Sequence, residues 1–154
     1  MCGLLLGLLV TWPGVMAQQS REVPRIHIVY MGGNDCPPCI AWRTKELPKL
    51  EQNELFKSVQ FSYVSKLIRS QVPPSIFLPS EVKPYKEKLD IASAGAIGSP
   101  QTAIIVNDEV FDYYFGARSA ESIVKMLEAI MTGSKYPFER CIKLSKARTC
   151  EIKG

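Results

Sequence analysis

The chain has 154 residues, 46% of them hydrophobic and 22% charged, with a formal net charge of +4. That length suits one domain with a substantial core rather than two, and the apolar content excludes a disordered chain. The charge is mild and no basic cluster is interleaved with aromatics, so no nucleic-acid partner is expected.

In chain order, residues 1–17 stand apart. Leu4-Leu5-Leu6-Gly7-Leu8-Leu9-Val10 is too short to span a bilayer, which takes roughly 20 apolar residues. Pro13-Gly14 breaks the run, and Val15-Met16-Ala17 has the small-residue pattern of a secretory cleavage site. These residues read as a signal peptide cut after Ala17, although the usual Lys or Arg before the apolar run is missing. The competing reading is a retained apolar anchor. Cys2 leaves with the peptide, and Cys36, Cys39, Cys141 and Cys150 remain. An even count in an exported protein favours disulfides.

Arg25 to Met31 is β-branched and aromatic and predicts a buried strand. His27, the only histidine, alternates with Ile26 and Ile28 and reads as a packed or surface strand residue. From Tyr30 to Trp42 the chain reads as a strand end, a glycine turn, and Cys36-Pro37-Pro38-Cys39 opening a helix. Cysteines so spaced at a helix start can close a disulfide without moving the backbone. The first, at the open end, is the one a partner reaches, and Cys39, one turn in, is expected to be more buried. With Cys36 as N-cap, Pro37 and Pro38 fill the next two positions, and Pro38 has no N–H. The amide of Cys39 is then the remaining donor to the Cys36 sulfur. The helix dipole favours a thiolate there by about 0.3–1 kcal/mol, while Asp35 opposes it. The Cys36 pKa is therefore expected below that of a free thiol, but not at the acid extreme.

Pro48 kinks or ends the first helix, with Leu47, Leu50, Leu55 and Phe56 as an apolar face. Val59 to Val64 alternates with period two and predicts a second strand. From Ile68 to Gly98 prolines break the chain, and only Ser80 to Leu89 predicts a helix, with Ser80 as N-cap. This stretch reads equally as a recognition loop and as a connection over the sheet. Thr102–Val106 and Val110–Phe115 flank Asn107-Asp108 and predict a hairpin. Ser119 then caps an amphipathic helix carrying Ile123, Met126, Leu127, Ile130 and Met131, with Gly133 at its end. The tail from Ser134 is basic and holds Cys141 and Cys150, nine apart. A structural disulfide between them would be worth about 2–3 kcal/mol; the alternative is a second redox pair relaying electrons to Cys36.

The order strand, CxxC at a helix start, strand, connection, hairpin, helix resembles the thioredoxin fold. Ser99-Pro100, directly before the hairpin, stands where the thioredoxin family places a cis proline against its CxxC. The likeness covers roughly residues 24 to 132. It implies an α/β thioredoxin-like fold with a central mixed sheet of about four to five strands flanked by helices, and the CxxC at the start of the first helix. Residues 18–134 would form that domain, with a loop-rich insertion at about 68–98 and a C-terminal tail at 135–154. Four positions differ from the common pattern. Asp35 stands where a Trp is frequent, Tyr30 where many members bury a carboxylate, and Ser99 and Gln101 flank the proline.

The resemblance implies a periplasmic thiol–disulfide oxidoreductase that exchanges disulfides with cysteine-containing exported proteins and has a membrane redox partner. Cys36 would be the nucleophile and Cys39 the resolving thiol. Pro37 and Pro38 would stiffen the ring, and Ser99 and cis Pro100 would pair with the substrate chain. With Tyr30 in place of a carboxylate, the proton acceptor for Cys39 is water or an unidentified group. The direction of electron flow stays open. No cofactor or metal is expected, since zinc would draw its remaining ligands from Cys141, Cys150 and His27 without a second knuckle. A monomer is expected. The alternatives are a binding module using the insertion and Tyr113-Tyr114-Phe115 with an auxiliary CxxC, and a metal- or cofactor-maturation chaperone.

Overall fold

The computed structural model describes residues 22–154, so the signal peptide read over residues 1–17 lies outside the described residues. The strand β1 (Ile26–Gly32) is buried along its whole length, as its β-branched and aromatic run requires when both faces are covered. It lies parallel to β2 (Gln60–Ser65) and antiparallel to β3 (Gln101–Val106), which pairs antiparallel with β4 (Glu109–Phe115). The sheet order is β2-β1-β3-β4. A parallel pair needs a long crossover, here supplied by α1 (Pro37–Lys45), α2 (Leu47–Glu51) and α3 (Glu54–Lys57). Pro48 falls in the first turn of α2, where its missing N–H costs nothing, so the helix restarts after Lys45 instead of stopping.

Period two divides the strands between two cores. Ile26, Ile28 and Tyr30 pack with Trp42, Leu50, Phe56 and the Ile123, Met126 and Leu127 face of α5 (Ala120–Thr132). Burying each such side chain is worth about 1.5–3 kcal/mol. The Ser119 hydroxyl accepts the Ser122 amide at 3.2 Å and caps α5, and Gly133, at φ 69°, ends it. On the other face Val29 and Met31 pack with Ala103, Ile105 and Tyr113. The protein is an α/β chain with a four-stranded mixed sheet. Asn107 and Asp108 turn the β3–β4 hairpin with φ of 49° and 69°, the left-handed conformations that a two-residue turn demands.

The 68–98 stretch covers this second face with Val72, Leu78, Val82, Leu89 and Ala92. Its α-helix is α4 (Lys86–Ser93), not the Ser80–Leu89 helix expected from the sequence. Pro84 lacks the N–H that an earlier start would need and sits in a 3₁₀ turn, Lys83–Tyr85, while the Ser80 hydroxyl donates to Glu81 instead of capping. The helix runs on to Ala94, whose left-handed φ of 50° closes it.

The basic tail also folds. A second hairpin, β5 (Cys141–Leu144) and β6 (Cys150–Lys153), carries the Cys141–Cys150 disulfide and buries Cys141 and Leu144 in the second core. Its anchor is Asp112, a fully buried carboxylate on β4. One oxygen accepts the Cys141 amide at 2.9 Å, and the other accepts the Tyr136 hydroxyl and the Arg118 guanidinium, each at 3.0 Å. Arg118 lies over the rings of Tyr114 and Phe138, at 3.6 and 4.1 Å. A register slip between Ile104 and Ile105 leaves Phe111 unpaired next to Asp112.

Candidate redox site

At the end of β1 the chain passes through Gly32 and Gly33 into α1. A Cβ on Gly32 would stand 3.0 Å from the Cys39 sulfur, and one on Gly33 would collide with the Lys66 carbonyl. Only glycines let this turn lie against the helix start. Cys36 is the N-cap, with extended backbone at φ −120°, and Pro37 and Pro38 occupy the first helical positions. The Cys39 amide reaches the Cys36 sulfur at 3.3 Å, and the two cysteines form a disulfide with Cα atoms 5.2 Å apart.

Burial departs from the gradient expected from the sequence. Cys36 and Cys39 are both at 0% exposure, whereas Pro37 and Pro38 are exposed. The cap geometry turns the Cys36 sulfur inward, toward the amide of the first helical turn, so the two prolines rather than the sulfur form the outer surface.

The surroundings are aromatic and tightly tied. Tyr30 stacks on Trp42 at 4.1 Å, and its hydroxyl is buried without a partner. Burial holds that phenol well above its ordinary pKa, so Tyr30 stays protonated. The Trp42 indole N–H donates to the Arg118 carbonyl at 2.8 Å, joining α1 to the residue that clamps Asp112. The Tyr63 hydroxyl donates to the Gly32 carbonyl at 2.8 Å. Asp35 is exposed, and its carboxylate accepts the Ile68 amide at 3.0 Å, which ties the turn before Cys36 to the start of the insertion.

The Ser99–Pro100 peptide bond is cis. Pro100 is buried and Ser99 half-buried, and the Ser99 hydroxyl has no hydrogen-bond partner. The loop before them is fixed by two residues the sequence did not single out for this task. Gln101 is fully buried, accepts the Tyr113 hydroxyl and donates to the Gly98 carbonyl at 2.7 Å. Lys66, only 5% exposed, donates its ammonium to the same carbonyl at 2.8 Å. Burial lowers the Lys66 pKa to about 8, and among the described residues it has no carboxylate partner. Alternation along β2 places Lys66 just past the strand end and carries no signal that its side chain turns inward.

The remaining candidates lie apart from the pair. His27 is buried in β1 with Nε2 2.9 Å from the Ser62 hydroxyl and Nδ1 unpartnered. Cys141 and Cys150 are occupied with each other, Cys141 buried and Cys150 exposed. Among the described residues no three of His, Cys, Asp and Glu converge, and no helix is long and apolar enough to cross a membrane. The arrangement is therefore a closed CxxC disulfide at a helix N-terminus on a mixed α/β sheet, which is compatible with redox chemistry. Compared with protein-family models, with curated proteins and with solved structures, the chain finds no match in any of the three.

Proposed function

We propose that the chain is an exported, thioredoxin-like thiol–disulfide oxidoreductase, processed after Ala17 and working in a periplasm-like compartment on cysteines of other exported proteins. The observation that carries this reading is the Cys36–Cys39 disulfide at the N-cap of α1, with a backbone amide directed at the Cys36 sulfur. A donor in that place, with the helix dipole behind it, stabilises a thiolate more than a thiol.

In the reducing direction the Cys36 thiolate attacks one sulfur of a substrate disulfide. A mixed disulfide forms and the substrate's other sulfur leaves as a thiolate. Cys39 gives up its proton, attacks the Cys36 sulfur, releases the second substrate sulfur and closes the Cys36–Cys39 bond. Two electrons pass to the substrate, and the same steps reversed oxidise a substrate dithiol. A membrane-held redox partner resets the pair. Ser99 and Pro100 border the path of the substrate chain. Because neither sulfur is exposed in the closed form, exchange requires a local opening that brings Cys36 to the surface.

Glutathione redox titration of the mature protein tests the reading. The pair should titrate between about −270 mV, typical of a reductant, and about −120 mV, typical of a strong oxidant. Cys36→Ser should abolish exchange, and Cys39→Ser should accumulate the mixed disulfide. A pair that does not titrate would overturn the proposal.

One observation favours a second reading, a binding module. Ile76 and Phe77 on the insertion are 78% and 72% exposed, beside a cavity of about 1330 Å³. The aromatic run proposed for that role does not serve it, since Tyr113 and Tyr114 are buried in the two cores. Phe77→Asp would remove partner binding and spare disulfide exchange if this reading holds.

A further inference from the structure

Beside the redox pair three distant segments meet around one opening. Ile68 and Arg69 come from the start of the insertion, Ile97, Gly98 and Ser99 from the cis-proline loop, and Lys146 and Arg148 from the turn of the tail hairpin, lining a cavity of about 350 Å³. The amide of Ile68 is bonded to Asp35, the residue preceding Cys36, so this wall lies one hydrogen bond from the CxxC turn. Arg148 reaches the cis-proline loop itself, with a guanidinium nitrogen 3.3 Å from where a Cβ on Gly98 would stand.

All three cations are exposed, and among the described residues none pairs with a carboxylate. Most of the other surface cations are matched, as in Arg25–Asp108, Lys125–Glu121 and Lys143–Glu151. The concentration of uncompensated charge at this one opening therefore contrasts with the rest of the surface. Ser99, half-buried and with its hydroxyl unpartnered, forms part of the same wall beside the cis Pro100. An arriving chain with carboxylate oxygens supplies what the three exposed cations lack.

We propose that this opening selects the substrate, and that it takes an acidic segment of a protein chain, with Asp or Glu side chains close to the cysteine delivered to Cys36. This rests on the redox reading above and adds the substrate class to it. Clustered charge of one sign steers and orients an oppositely charged partner, and the effect weakens as salt screens it.

The test uses two 12-residue peptides, each with one cysteine in a mixed disulfide and differing only in whether two glutamates or two glutamines follow that cysteine. Their serine counterparts, which cannot react, serve for binding. Anisotropy of the serine peptides with the oxidised protein should give roughly tenfold tighter binding of the glutamate peptide at low salt, the ratio falling towards one as salt rises. Exchange of the cysteine peptides with the reduced protein should show the same preference. Arg69→Glu with Lys146→Glu should invert the binding ratio, and Arg69→Gln with Lys146→Gln, checked for an unchanged unfolding midpoint, should bring it to one. Equal binding of the two serine peptides would overturn the acidic-segment proposal whatever the exchange shows. So would a preference that the reversed-charge variant keeps. A binding preference with no exchange of either cysteine peptide would overturn the redox reading and leave the acidic groove standing.

Discussion

Replacing Asp112 by alanine should be among the most damaging single changes in the chain away from the cysteines. The carboxylate is fully buried and satisfies three donors, the Cys141 amide, the Tyr136 hydroxyl and the Arg118 guanidinium. In the alanine variant the Arg118 side chain, only 18% exposed, would be left as an uncompensated charge between two aromatic rings, and two further donors would lose their acceptor. Breaking one side of a buried ion pair costs about 3–5 kcal/mol, and each orphaned neutral donor separately costs about 1–3 kcal/mol. The costs overlap because the site relaxes as a unit, so a total of about 3–5 kcal/mol is expected. With a urea slope of about 2 kcal/mol per molar, the unfolding midpoint should fall by about 2 M at unchanged slope. Asp112→Asn keeps one acceptor oxygen and the shape, and should lose roughly half as much. Tyr136→Phe removes a single bond and should cost about 1 kcal/mol. A loss below about 1 kcal/mol for Asp112→Ala, or an asparagine variant as weak as the alanine one, would refute the idea that this carboxylate fastens the tail to the sheet.

Three further outcomes follow from other groups. His27 is held below its ordinary pKa of 6.5, chiefly by burial and against the raising effect of Glu81. The unfolded chain therefore binds a proton that the fold resists, and stability should fall as pH drops below about 6.5; thermal scans of His27→Gln should be flatter across that window. Lys66 titrates in the fold at about 8 against an ordinary 10.5, so the folded chain binds fewer protons between those values and stability should rise with pH through them. Lys66→Met should be more stable than the parent at pH 7 by about 1–3 kcal/mol, with the gain shrinking towards pH 10.5 in denaturant titrations. Replacing Cys141 and Cys150 together by serine should cost about 2–3 kcal/mol and spare disulfide exchange at Cys36; loss of exchange at unchanged stability would identify the second disulfide as an electron relay instead.

What could be read from the sequence was local. The cap at Cys36, with Pro37 and Pro38 leaving a single amide for the sulfur, depends on four consecutive residues and is present as such in the fold. The α5 stripe and the Asn107-Asp108 turn are equally short-range, and both formed where the pattern put them. Pro84 misled because its tolerated place in a first turn can be met by a 3₁₀ turn as well as by a helix. Asp112 sits in a strand pattern where an acidic residue reads as solvent-facing, and its donors lie 6, 24 and 29 residues away. Nothing within β4 announces them. The cation cluster is hidden for the same reason, since Arg69, Ser99 and Lys146 become neighbours only after the tail hairpin has docked.

The Asp112 clamp also orders events in time. A ribosome releases this chain from its N-terminal end, so β1 to α5 can collapse while residues beyond Tyr136 are still withheld. Until the β5–β6 hairpin emerges, the domain carries an interior carboxylate missing the Cys141 amide among its donors, and a second core open where Cys141 and Leu144 belong. Such an intermediate is costly and opens readily. Completion of the core is thereby coupled to docking of the β5–β6 hairpin, and a molecule cut between Tyr136 and Cys141 would present itself as unfinished to any protease that samples it.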